Sequence, residues 1–193
     1  MRGFTLIEIV VAVLLSTVLM AALYKTFFLS ETALTESDRY MTVLQEAREV
    51  FEVMRKEIES SFLSSKDTSI RFKVLDKDEM GRQASAIYFS TFGGIGTGVK
   101  DVAYFVKRDG EKFSLMKTIL PSTATGKTIE FEAIANINTF TISLKDQNTE
   151  VKSWDSKLND KMPDSVVVTV GFMIKNKTFT LKETIYPKIK TKV

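Results

Sequence analysis

The side chain whose type and position most clearly suggest chemistry is Glu8. It is the only charged residue in an apolar stretch that covers residues 4–24 and contains neither glycine nor proline. An ionised and unpaired carboxylate within a membrane segment costs several kcal/mol, so such a residue indicates a functional role. The chemistry that this environment predicts is pairing of the carboxylate with a cation.

Catalytic and metal-binding chemistry has few candidates in this chain. The sequence contains no histidine and no cysteine, which excludes zinc sites of the usual Cys/His type, His-based catalytic triads and a disulfide framework. The net charge of +3 is dispersed, and no run of five basic residues points to nucleic acid. We interpret Glu49, Glu52, Glu57 and Glu59 as a solvated helix face, not as an acid/base pair. We therefore expect a non-enzymatic protein without a metal, a cofactor or a nucleic-acid partner.

Two glycine-containing segments resemble phosphate-binding loops only in part. Residues 92–98 are glycine-rich, but they lack the Gly-x-Gly-x-x-Gly spacing and no Gly-Lys-Ser/Thr follows them. Residues 126–128 read Gly-Lys-Thr, but Pro121 stands where the first glycine of such a loop belongs. We interpret both segments as flexible loops between strands.

Two further polar motifs also have ordinary explanations. Asp76, Asp78 and Glu79 carry the oxygen ligands that calcium prefers, but a solvated turn explains them more simply. Residues 176–178 form a glycosylation sequon, which a tight turn between two strands accounts for better. Neither motif adds a metal or modification site to our expectations.

The element that positions Glu8 is predicted to be a membrane helix. About 20 apolar residues, at a rise of about 1.5 Å each, cross a hydrocarbon core of about 30 Å. A cleaved secretory signal is the alternative, with Arg2 as its charged start. That alternative fits less well, because the apolar run is too long and residues 19–24 make a poor Ala-x-Ala cleavage site. We therefore expect residues 4–24 to remain as an anchor.

The helical pattern continues beyond the anchor, since neither glycine nor proline occurs between residues 4 and 80. Apolar residues at steps of seven, three, seven, three and four draw one stripe on a helix: Leu34, Met41, Leu44, Phe51, Met54 and Ile58. Glu52 and Lys56 form a favourable i, i+4 pair on the polar side. The sequence predicts one helix from residue 4 to about residue 62, about 90 Å long. Its second half, residues 25–64, must bury the stripe against another element.

That element is predicted to be a set of antiparallel strands in residues 65–193. Apolar and polar residues alternate in many short segments: 70–75, 86–91, 99–107, 113–120, 129–134, 140–144, 166–175 and 178–186. Asp109-Gly110 and Asn176-Lys177 mark two hairpin turns, and a polar connection carries Trp154. A helix followed by antiparallel strands is the α+β class.

The amino terminus resembles a known motif. Residues 3–8 read Gly-Phe-Thr-Leu-Ile-Glu, which is similar to the type IV prepilin motif of a short basic leader, Gly, Phe, an apolar stretch and Glu. The resemblance implies that a membrane-embedded prepilin peptidase cuts between Gly3 and Phe4 and that the new amine of Phe4 is methylated. Residues 1–3 would be the leader, which is shorter than many in the family but keeps one base and the glycine. The apolar segment would serve first as an anchor and later in the core of a fibre.

The head resembles the J-type minor pseudopilins of type II secretion. Residues 102–104 and 115–118 look like the central hairpin of that family. Residues 140–144, Trp154, Met162-Pro163 and residues 166–170 follow one another as its later part does. The resemblance implies a pilin-like α+β fold with a long amino-terminal helix. It leaves open the related minor pilins of type IV pili and competence systems.

These resemblances lead to a structural function with no catalytic activity. We expect a single-pass protein of the inner membrane, with its carboxy-terminal head in the periplasm, that joins the short pseudopilus near its tip. Its partners would be the prepilin peptidase, other pseudopilins and the inner-membrane assembly platform. A minor pilin of a type IV pilus or competence system, with an assembly or adhesive role, is the alternative within this class. A membrane-tethered enzyme or sensor is the alternative from another class.

Glu8 then acquires a specific predicted partner. Once Arg2 leaves with the leader, no cation of the same chain lies near it in sequence. The nearest candidate is the Phe4 amine of an adjacent fibre subunit, and that pair would neutralise both charges. We therefore predict that Glu8 is a subunit-assembly residue.

Overall fold

The computed structural model describes residues 5–64, 71–94, 98–121, 127–147, 149–174 and 177–189. Within them, one long helix is followed by antiparallel strands and one short helix. The helices are α1 (Leu6–Glu59) and α2 (Ser156–Asn159). The strands are β1 (Phe72–Leu75), β2 (Asp78–Glu79), β3 (Arg82–Gln83), β4 (Ala86–Thr91), β5 (Lys100–Asp109), β6 (Lys112–Pro121), β7 (Ile129–Asp146), β8 (Thr149–Val151), β9 (Trp154–Asp155), β10 (Ser165–Ile174) and β11 (Lys177–Ile185). The predicted α+β class is confirmed.

The threonine hydroxyls in the apolar part of α1 form hydrogen bonds within the helix. Threonine hydroxyls donate to the carbonyl oxygen four residues earlier, as Thr17 Oγ1 does to Val13 O at 2.8 Å and Thr26 Oγ1 to Ala22 O at 2.9 Å. Such bonds leave neither of these two hydroxyls unpaired in an apolar environment. The two threonines are therefore compatible with a position in lipid.

The helix ends at Glu59, about three residues before the predicted end. Ser60 Oγ donates to Lys56 O at 2.6 Å and Ser61 Oγ to Ile58 O at 2.6 Å, so the serines compete with the backbone for the last carbonyl groups. The Glu59 carbonyl accepts instead from the backbone N–H of Lys188 at 2.9 Å. The serine pair therefore ends α1 where the sequence predicted only a weakening.

The chain divides into two compact units, residues 1–45 and residues 46–193. In the first unit, α1 is long and apolar enough near the amino terminus to cross a membrane, and that stretch is not buried. Leu34 and Met41 are exposed, so the predicted buried stripe is wrong at these two positions. In the second unit, Phe51, Met54 and Ile58 are buried as predicted.

The second unit, which we call the head, contains one large antiparallel sheet. Its strand order is β11-β10-β7-β6-β5-β4-β1-β9, with β8 paired to β7 and a separate β2–β3 hairpin. The carboxy-terminal part of α1 packs on one face of this sheet. The strands contribute large side chains to the core beneath it: Phe72, Phe89, Tyr104, Leu115, Phe140 and Ile142.

The strand β7 corrects one sequence prediction. Residues 129–134 and 140–144 were expected to be two strands, but Ile129–Asp146 is a single strand of 18 residues. Its first half pairs with β6 and its second half with β10, and Ile137 is opposite both Phe113 and Phe172. Asn136 beside it has a positive φ of 52°, which bends the strand where it changes partner. The alternation of apolar residues is interrupted at this bend, although the backbone pairing continues.

The two predicted long hairpins are present. The strands β5 and β6 pair from Lys100↔Pro121 to Asp109↔Lys112, and Gly110 takes the first loop position with φ of +61°. The strands β10 and β11 pair from Val166↔Ile185 to Ile174↔Lys177. Residues 175–176, which include the predicted Asn176 turn position, lie outside the described residues. Both hairpins were predictable because alternation and turn chemistry are local signals.

Very short elements were missed. The connection around Trp154 was expected to be polar, but Trp154 is buried in β9, opposite Val74 of β1. Its indole Nε1 donates to Lys161 O at 3.3 Å. The next residue, Asp155, caps α2 by accepting from Lys157 N at 3.0 Å. Strands of two residues are too short to produce a periodicity, so the sequence could not indicate them.

Candidate functional site

The predicted amino-terminal site is described from Thr5 onward. Gly3 and Phe4 lie outside the described residues, so cleavage between them and methylation of Phe4 remain predictions. Thr5 directly precedes α1, and Glu8 lies in the first turn of the helix. The geometry of this turn shows what Glu8 contacts among the described residues.

Glu8 contacts the residue that precedes the helix. The Thr5 backbone N–H donates to Glu8 Oε2 at 3.3 Å, and Thr5 Oγ1 donates to the same oxygen at 3.2 Å. The Glu8 and Ile9 N–H groups donate to Thr5 O at 3.1 and 3.3 Å and close the turn. A carboxylate that returns to the N–H at the start of the helix is half of a capping box. The sequence signal for this cap is Thr-x-x-Glu at residues 5–8, which overlaps the prepilin motif.

Within the part of the chain that the structure describes, no cation contacts Glu8. Thr5 supplies hydrogen bonds but no positive charge, and the Glu8 carboxylate is exposed. The apolar side chains that follow it, including Ile9 and Val13, are exposed as well. An exposed apolar helix surface with one carboxylate near its start is suited to a lipid environment and to packing against other apolar helices. Pairing of Glu8 with the amine of an adjacent subunit therefore remains a prediction.

A second site lies in the head, and it corrects the sequence analysis. Glu57 was interpreted as part of a solvated face, but it is 0% exposed. Lys117 Nζ donates to Glu57 Oε1 at 2.7 Å, and Tyr104 OH donates to Glu57 Oε2 at 2.7 Å. Glu57 follows the buried Met54 by three residues, so it lies on the side of α1 that meets the sheet. A charged run on a helix could not by itself reveal which carboxylate faces inward.

The partners of Glu57 come from neighbouring strands. Tyr104 of β5 lies directly opposite Lys117 of β6, and the Lys117 ammonium is 5.2 Å from the centre of the Tyr104 ring. Lys100, four residues before Tyr104 in β5, is also buried and interacts electrostatically with Glu57. We call Glu57, Lys100, Tyr104 and Lys117 the buried ion cluster.

Burial changes the titration of two cluster members. It raises the pKa of Tyr104 well above its usual value of 10.0, and the charge and hydrogen bond of Glu57 act in the same direction. Tyr104 therefore remains a hydrogen-bond donor. Burial lowers the pKa of Lys100. Repulsion from Lys117 lowers it as well, whereas attraction to Glu57 raises it. The cluster is thus a desolvated arrangement in which each oxygen of Glu57 accepts a hydrogen bond.

The glycine-rich segment packs closely against this cluster. Residues 92–98 were interpreted as a flexible loop, and residues 95–97 lie outside the described residues. A Cβ on Gly94 would lie 2.7 Å from Glu57 Cγ, and one on Gly93 would lie 2.7 Å from the carbonyl oxygen of Lys56. Thr91 Oγ1, just before them, donates to Glu57 O at 2.7 Å. These two glycines therefore permit close contact with α1, which is a packing function.

Replacing Gly94 by alanine should destabilise the head more than replacing Gly81 by alanine. Both glycines have positive φ, +82° and +77°, but nothing lies within 4 Å of a Cβ on Gly81. A non-glycine residue in this region costs about 1–2 kcal/mol, and only Gly94→Ala adds a collision with Glu57. Thermal unfolding of the two variants measures the difference. Equal melting temperatures would contradict the close packing of Gly94 on Glu57.

The remaining candidate motifs are the carboxylates near Asp78, the Gly126 segment and the Asn176 sequon. Asp78 Oδ1 accepts from the Gly81 N–H at 2.7 Å and so stabilises the turn between β2 and β3. Among the described residues, no group of three acidic side chains is placed to hold a metal ion. Gly126 and Asn176 lie outside the residues that the structure describes.

Comparisons with known proteins agree with both parts of the chain. Residues 1–24 match the family described as the prokaryotic N-terminal methylation motif. A search of curated proteins found no match. Among solved structures, the chain is similar to a chain of the GspK-GspI-GspJ complex from the type 2 secretion system of enterotoxigenic Escherichia coli. The TM-score is 0.53 at 11% identity, and the match covers 74% of this chain and 96% of the other.

The identity is low, so this likeness concerns the fold. It confirms the predicted pilin-like arrangement of a long amino-terminal helix on an antiparallel sheet. The methylation motif is an independent finding, because it lies in residues 1–24, outside the head. The chain thus combines an N-terminal methylation motif in residues 1–24 with a pilin-like fold.

Proposed function

We propose that the protein is a J-type minor pseudopilin of a type II secretion system. One observation carries the proposal: a prepilin methylation motif and a head with the fold of a pseudopilin-complex chain occur in the same sequence. The protein is a structural subunit near the tip of the short periplasmic pseudopilus. Its activity is assembly, which helps to drive export of folded proteins.

Assembly uses the amino-terminal segment in two stages. The prepilin peptidase removes residues 1–3 on the cytoplasmic side, and the new Phe4 amine is methylated. The apolar part of α1 holds the protein in the inner membrane as a single-pass anchor, with the head in the periplasm. The inner-membrane assembly platform then transfers it into the fibre, where the apolar segments of neighbouring subunits pack side by side.

We also propose that the head is not catalytic. The sequence has no histidine or cysteine, and Glu57, its completely buried carboxylate, has both oxygens occupied by Lys117 and Tyr104. A general acid or base must reach the proton that it transfers. Glu57 is enclosed between α1 and the sheet, which suits a structural role.

Replacing Glu8 by valine should impair assembly after normal insertion and cleavage. The Phe4 amine of the adjacent subunit would be left buried without its counter-ion, and breaking a buried pair in this way costs about 3–5 kcal/mol. Because about 1.4 kcal/mol is a factor of ten, crosslinking to neighbouring pseudopilins in the cell envelope should fall at least about tenfold.

Glu8→Gln is the matched control for the helix cap. Glutamine can replace glutamate in a capping box, so this variant keeps the bond from Thr5 and loses only the charge. Both variants should assemble poorly if Glu8 pairs with an amine. Normal assembly of Glu8→Gln with failure of Glu8→Val would assign Glu8 to capping instead. Wild-type yield of both would exclude Glu8 as an assembly contact.

A gene deletion separates the secretion role from its alternative. The methylation motif is common to pseudopilins and to minor pilins of type IV pili and competence systems. Loss of exported folded proteins from the medium, with surface pili and DNA uptake intact, is the result expected for a pseudopilin. Loss of pili or of DNA uptake with normal secretion would overturn the secretion role.

A further inference from the structure

We infer that Glu57 determines the axial register of α1 on the sheet, through its pairing with Lys117 and Tyr104. This role goes beyond assembly and concerns the head alone, so it does not depend on the secretion role. The apolar stripe of α1 and the buried ion cluster both contact the sheet, but they constrain the axial register of α1 to different degrees.

The apolar stripe allows more than one register. If α1 moved by one turn, four residues, Ala47, Val50 and Met54 would occupy the positions of Phe51, Met54 and Ile58. Each replacement is again apolar, so the hydrophobic contacts would change in volume but not in kind. Hydrophobic attraction is not directional, so packing distinguishes the two arrangements only by volume, for example by the cavity that Ala47 would leave in place of Phe51.

Glu57 removes this ambiguity. The same movement would place Val53 in front of Lys117 and Tyr104 and would carry Glu57 about 6 Å along the axis. Lys117 and Tyr104 are 2% and 0% exposed, so water could not replace the lost carboxylate. An unpaired buried charge is strongly unfavourable, whereas a paired one is tolerated. The cluster is therefore fully paired in the observed register and unpaired in the register that is shifted by one turn.

Further contacts around Glu57 restrict the axial position of α1 on the sheet. Thr91 Oγ1 donates to the Glu57 carbonyl oxygen at 2.7 Å, which fixes the backbone at the same residue whose side chain is paired. Gly94 leaves room for the Glu57 side chain and for no additional carbon atom there. Backbone and side chain of one residue are thus held by four partners: Thr91, Gly94, Tyr104 and Lys117.

The test measures the register directly by the distance between two spin labels. The native sequence has no cysteine, so cysteines introduced at Glu49 and Lys112, both exposed, are the only labelling sites. Pulsed electron paramagnetic resonance is recorded on the full-length protein in detergent. The unmodified register should give a single narrow distance.

The test variant is Glu57→Met with Lys117→Met, which replaces the ion pair by apolar side chains of similar length. We expect a second distance that differs from the first by up to about 6 Å, the axial movement of four helical residues. Arg55→Met with Glu183→Met is the matched control. Arg55 Nε and Glu183 Oε1 also join α1 to the sheet, at 3.4 Å, but this pair is partly exposed and should not set the register.

Each result decides for or against the inference. A second distance in the test variant, with a single distance in the control, supports it. A single unmodified distance in the folded test variant overturns it, and so does a second distance in both variants. If the test variant does not fold, Glu57→Gln is measured instead, since it keeps the shape and loses the charge. A second distance then supports the inference, and a single unmodified one overturns it.

Discussion

Replacing Gly3 by valine should leave the protein inserted in the membrane with residues 1–3 still attached. The predicted cut follows Gly3, and a peptidase must approach the backbone closely there, which a β-branched side chain obstructs. The expected effect is all or none. Intact-mass measurement of the protein extracted from membranes would detect the three additional residues.

Leu6→Val is the control for this variant. It also introduces a β-branched residue near the cut, but on the other side and within the apolar stretch. We expect its leader to be removed normally. Normal removal of the leader from Gly3→Val would contradict cleavage at Gly3 and with it the prepilin interpretation of the amino terminus.

The second large effect concerns the core of the head. A form that lacks residues 1–24 keeps the amphipathic part of α1 and every strand, and we expect it to be soluble and folded. In this form, Phe51→Ala should lower the free energy of unfolding by about 3–5 kcal/mol, because Phe51 is 5% exposed and its removal leaves a cavity. A change of about 1 kcal/mol shifts the melting temperature by about 2–4 °C in a domain of this size. Thermal unfolding should therefore show a decrease of roughly 6–20 °C.

Leu158→Ala is the matched control, because Leu158 is 86% exposed. Removing its side chain should change the stability by no more than about 0.5 kcal/mol. An unchanged melting curve for Phe51→Ala would mean that the stripe on α1 faces solvent or a partner instead of the sheet.

The parts of this protein that the sequence alone determined depend on local signals. Hydropathy and length predicted the membrane segment, and six consecutive residues predicted the prepilin motif. A long stretch without glycine or proline predicted α1, and alternation with turn residues predicted the β5–β6 and β10–β11 hairpins. In each case the information lies in neighbouring residues, because helix and strand periods and turn conformations are properties of short segments.

The tertiary structure decided which residues face one another. Strand β7 was expected as two strands, because its apolar alternation is interrupted near Asn136, where the strand exchanges β6 for β10. Gly94 looked like part of a flexible loop until its contact with Glu57 was visible. Both features depend on segments that are far away in the sequence, and no local pattern contains them.

Glu57 shows the difference most clearly. In the sequence it is one carboxylate among several on a charged helix, and helical spacing alone did not separate it from Glu49 or Glu52. Its burial is stable because Lys117 and Tyr104, some fifty to sixty residues later, come from two strands that pair directly opposite each other. The cost of burying a charge is determined by the groups around it, and only the fold brings those groups together.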